Sequence, residues 1–68
     1  MTANELKVAG QALYGERWQS PLARDLDMSD RHMRRLVDGS AAVNAGMAAD
    51  IQRLLRLRHK LIARILAA

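Results

Sequence analysis

Apolar residues recur at spacings of three and four along most of this chain. Leu6, Ala9 or Gly10, and Leu13 share one helical face, and Leu22, Ala23 and Leu26 a second. Met33, Leu36 and Val37 form a third. A longer stretch places Met47, Ile51, Leu54, Leu55, Arg58, Leu61, Ile62 and Ile65 at helical spacing. No alternating run of β-branched residues signals a strand. The pattern predicts an all-α, compact four-helix domain spanning residues 1–68.

Local signals set the helix limits. Thr2-Ala3-Asn4-Glu5 has the form of a capping box, so the first helix runs from about Ala3 to Tyr14, where Gly15 stops it. Ser20-Pro21 reads as the start of the second, with Ser20 as cap and an end near Asp27. Ser29 caps the third, Asp30 favours its positive end, and Gly39 closes it. After a loop over Gly39–Val43, Asn44 caps a fourth helix over about 45–67. Its apolar stripe outruns what three short helices need. Leu54, Leu57, Leu61, Ile62 and Ile65 are therefore assigned to a two-fold interface with a second copy; the alternative is a helix that folds back as core.

Charge changes the picture. Eleven Lys and Arg against seven Asp and Glu leave +4, and all seven acids lie at or before Asp50. Arg31, Arg34 and Arg35 form one basic cluster; Arg53, Arg56, Arg58, Lys60 and Arg64 form another. A basic chain of this size fits a polyanionic partner. The segment 19–38 gives that partner a reading surface. Two helices joined by a short turn need a small residue at their closest approach, met by Ala23, and an apolar wedge, met by Leu22, Leu26, Met28, Met33 and Leu36. The sharp turn favours Gly; here Asp27 must take the left-handed conformation, which Asp tolerates better than most residues.

These assignments leave the outer face of the third helix to Ser29, Asp30, Arg31, Arg34 and Arg35, with His32 at the side. In such motifs the start of this helix enters the major groove of double-stranded DNA. Ser29, Arg31, Arg34 and Arg35 are the expected base contacts, because Arg can donate a bidentate pair to guanine. Arg17, Gln19, Ser20, Arg24 and His32 are the expected phosphate contacts. A pair of copies would present two reading helices about 34 Å apart, one DNA turn.

Residues Leu13–Gly39, LYGERWQSPLARDLDMSDRHMRRLVDG, resemble the short Cro/repressor-type helix-turn-helix regulators of phages and prophages, including those encoded beside anti-CRISPR genes. The resemblance rests on the elements LYG, WQS, LAR and RR. It implies a homodimer bound to an inverted repeat and repression of a promoter. The chain departs from the pattern at Asp27, where Gly is usual, and at Leu36, where Trp is frequent.

Other classes fit less well. An enzyme is not expected: no Cys is present, Ser20, Ser29 and Ser40 read as caps or loop residues, and the carboxylates stand singly. His32 and His59, without thiol partners, imply no metal, and no cofactor motif occurs. Tyr14 and Trp18 fit the junction of the first two helices better than stacking on bases. No stretch approaches the roughly 18 apolar residues of a membrane span, and the start resembles no signal peptide. A cytoplasmic, nucleoid-associated protein without a small-molecule effector is the expectation. The alternative function is a module that binds an acidic protein.

Overall fold

Thr2 opens the first helix as a reciprocal cap. Its hydroxyl accepts the Glu5 N–H at 3.1 Å, and the Glu5 carboxylate accepts the Thr2 N–H at 3.0 Å. That second bond holds the Glu5 carboxyl below its usual pKa. A computed structural model describes all 68 residues. They form α1 (Ala3–Tyr14), α2 (Gln19–Asp25), α3 (Asp30–Asp38) and α4 (Ala45–Ala67), with no strand. Ser29 caps α3 by accepting the His32 N–H at 3.1 Å, and Asn44 caps α4 by accepting the Met47 N–H at 2.8 Å. Gly15 and Gly39 leave α1 and α3 at φ of 83° and 86°, which costs a residue without Cβ nothing.

The second helix departs from the expected limits at both ends. Ser20 is not its cap: α2 begins at Gln19, two residues earlier than a Ser20 cap implies, Trp18 holds the cap position, and no side chain caps the turn. Burial of Trp18 sets this start, and Pro21 is harmless in a first turn whose N–H groups lack intrahelical partners anyway. The helix ends at Asp25, short of Asp27. Met28 N–H reaches back to Ala23 O at 2.9 Å and Asp27 N–H to Arg24 O at 3.1 Å. These two bonds make a Schellman motif with Asp27 at its left-handed position, φ 55°.

All three other helices pack on α1, α2 and α3 also pack on each other, and α4 packs on α1 alone. The core consists of Leu6, Ala9, Leu13, Trp18, Leu22, Ala23, Met33, Leu36 and Ile51. Burying a side chain the size of Leu stabilises by about 1.5–3 kcal/mol, so a core this thin tolerates few losses. Gly10 decides how α1 and α2 meet. A Cβ there would lie 2.1 Å from Trp18 Cε3, so the indole lies directly against the α1 backbone. The 43 Å long dimension of the molecule reflects α4, whose 23 residues span about 35 Å. Its residues 56–67 are exposed.

Gly10→Ala is expected to destabilise by about 1–3 kcal/mol through overpacking against Trp18. Gly46→Ala, whose new methyl would meet only Asn44 Oδ1 at 3.4 Å, should be neutral or mildly stabilising. Asp27→Gly should stabilise by roughly 0.5–1 kcal/mol by relieving the left-handed backbone. Chemical denaturation of the three variants checks the order.

Candidate nucleic-acid interface

Helix α3 divides its residues sharply. Met33 and Leu36 are fully buried, His32 and Val37 are half-buried, and Asp30, Arg31, Arg34, Arg35 and Asp38 are exposed. Arg31, Arg34, Arg35 and Asp38 follow the spacing of a single helical face. Ser29, Arg31, His32 and Arg35 line one shallow polar depression beside the start of α3. Arg31 and Arg35 are like charges one turn apart, an arrangement that costs an isolated helix roughly 0.2–0.5 kcal/mol. The caps and the two buried side chains offset that cost.

No carboxylate neutralises the cluster, for the one ion pair in the molecule joins Arg53 to Asp50 at 3.4 Å. Neither Asp30 nor Asp38 pairs with Arg34 or Arg35. Asp38 instead accepts the hydroxyl and N–H of Ser40. Those two bonds, with a lesser contribution from Arg35, hold its carboxyl below the usual pKa.

The phosphate-contact candidates fall in two places. Arg17, Gln19 and Ser20 come together with Glu16, Trp18 and Pro21 around an open hollow at the start of α2. Arg24 is exposed further along α2, and His32 lies on the α3 depression. Trp18 is only 3% exposed, so its ring is a junction residue with no face free for a base. Tyr14 is half-buried against the core, and its hydroxyl donates to the Asp25 carboxylate at the end of α2. Desolvation, then that bond, push the phenol up to about 12.

The candidates for pairing between copies also separate. Leu54 is half-buried and packs on the domain's own core. Leu57, Leu61, Ile62 and Ile65 are at least half exposed, and Leu66 joins them. Arg58 stands between Leu54 and Leu61. Its Nη1 donates to the Leu13 carbonyl at 2.7 Å, and its guanidinium carbon lies 6.0 Å from the Tyr14 ring centre. Sequence reasoning placed Arg58 in the apolar stripe of α4 and gave it no task; a lone cation among Leu and Ile was the available signal. Asp25 was missed as well, with no local signal to find it.

No cluster of three potential metal ligands occurs, and no helix is long and apolar enough to cross a membrane. Comparison with protein-family models, curated proteins and solved structures finds no match.

The single tyrosine allows a direct titration. Because its folded-state pKa is raised, the stabilisation it contributes is complete below pH 10 and is lost as pH rises through about 12. Phenolate absorbance should show a midpoint near 12. Asp25→Asn should bring it down toward 10, the ordinary phenol value.

Proposed function

We propose that this chain is a helix-turn-helix protein that binds double-stranded DNA in a sequence-specific manner and represses a promoter by occupying it. The observation that carries the reading is the α3 face. Arg31, Arg34 and Arg35 are exposed, unpaired with any carboxylate, and borne by a helix joined to α2 through a tight Schellman turn. A groove lined by base edges and phosphates satisfies such a face. Arg31, with Arg34 or Arg35, donates to guanine O6 and N7; Ser29 contributes at the helix start. Arg17, Gln19, Ser20, Arg24 and His32 hold phosphates and set the register. The resemblance of Leu13–Gly39 to Cro/repressor-type regulators supports the same reading.

Two copies bind an inverted repeat, joined through the free halves of α4. Leu57, Leu61, Ile62, Ile65 and Leu66 from two chains, partly covered at roughly 1 kcal/mol each, supply stabilisation of the same order as the about 4–15 kcal/mol that association costs. The pair is therefore modest in solution and strengthened by DNA, which holds both copies in place.

Selection of bound sequences from random duplexes should recover a palindrome with half-sites one helical turn apart. Recovery of no preferred sequence, with capture of an acidic protein instead, would replace this reading by the protein-interaction one. Arg34→Ala should relax specificity at one base position by about 1–3 kcal/mol. Arg17→Ala should weaken binding to all duplexes alike and flatten the salt dependence. Leu61→Asp should lower the solution mass to that of a single chain and reduce operator affinity; an unchanged mass would rule out pairing through α4.

A further inference from the structure

Arg58 sits where α4 leaves the body of the protein. Ile51, Leu54 and Leu55 pack on the core, and from Arg56 onward every residue of the helix is exposed. The Arg58 guanidinium reaches the carbonyl of Leu13, one residue before α1 ends.

Ile51 is the one fully buried side chain of α4. Apolar contact is non-directional and resists pivoting weakly. A hydrogen bond is directional. The Leu13 carbonyl belongs to the last turn of α1, where carbonyls lack intrahelical partners and the dipole end is negative. A cation donating to it from α4 satisfies the acceptor and gives the helix a second fixed point, two turns beyond Ile51. A leucine at this position would extend the stripe but leave both needs unmet.

We infer that Arg58 is a positioning residue: it clamps α4 to the end of α1 and thereby fixes the direction in which the free half of α4 projects. The clamp continues inward, since the Tyr14 ring under Arg58 is tied through its hydroxyl to Asp25 of α2. The direction of α4 is thus set relative to the α2–α3 unit as well as to α1. The lever is long. At 1.5 Å per residue, a tilt of about 10° at Ile51 moves Ala67 by roughly 4 Å, comparable to the about 3.4 Å rise of one base step. On the proposed reading as a paired DNA-binding protein, on which this consequence rests, the clamp selects the spacing between half-sites.

The chain has no cysteine, so two introduced ones can carry spin labels without interference. Labels on Lys7→Cys and Ala67→Cys, both exposed positions, report the α1–α4 geometry by pulsed dipolar spectroscopy, with labelled chain diluted in unlabelled. The otherwise unchanged chain should give a narrow distance distribution. Arg58→Met should broaden or shift it at unchanged helical content, and Arg58→Lys should restore most of the narrowness. Arg58→Gln serves the same comparison where Arg58→Met loses helicity. A distribution for these variants superimposable on the parent's would overturn the clamp. In a second arm, duplexes carrying inverted repeats at stepped spacings are compared with a single half-site. The parent should prefer one spacing by about tenfold, and Arg58→Met should reduce that to about threefold with half-site affinity intact. A broadened distribution with an unchanged spacing preference would sever the clamp from spacing. Absence of duplex binding by the parent would defeat the DNA reading, while the distance measurement would still decide the clamp.

Discussion

The Trp18 indole lies against α1 at a point where even a methyl group would collide with it. Much of the molecule depends on that approach. With Trp18 buried, the chain leaving α1 has only Gly15, Glu16 and Arg17 in which to turn, and α2 must start at Gln19. Seven residues later the Schellman turn sends the chain into α3. The outward face of α3 is then settled by which of its side chains reach the core, namely Met33 and Leu36. A glycine in the middle of α1, ordinarily a liability in a helix, is what allows the three arginines to be displayed as they are.

That display is costly to the isolated protein and useful to a complex. Three cations share one short helix without forming a salt bridge, while Asp38 beside them is engaged by Ser40. The helix persists because its stability comes from caps at both ends and two fully buried side chains, none of which depends on the charged face. A polyanion relieves the repulsion on binding, so the same residues that weaken the free helix favour its complex. This separation of structural from displayed residues is the physical basis for proposing a DNA reader.

Helix α4 joins two environments on one apolar stripe. Its first half completes the domain core, and its second half meets only solvent. The boundary falls after Leu55, and Arg58, bonded to the last turn of α1, lies just beyond it. A single helix can therefore serve both as core and as the proposed means of bringing two copies together, with the Leu13 carbonyl as the fixed reference between the two tasks.

The four helices, the Thr2–Glu5 box, the caps at Ser29 and Asn44, the stops at Gly15 and Gly39 and the left-handed Asp27 were legible in the amino-acid order. Each depends on partners a few residues apart, or on the backbone preference of one residue, so short spacings specify them. The start of α2 was not legible. Ser20-Pro21 has the chemistry of a helix start, but the burial of Trp18 against Gly10, a contact between helices, overrode it. Leu55 and Ile62 both follow the helical spacing of the stripe, yet Leu55 packs on the core and Ile62 is half exposed; only the packing of α4 on α1 decides that one is covered and the other is not. Arg58 and Leu13 are 45 residues apart. No local pattern encodes their bond, because it exists only once α4 has been laid along α1.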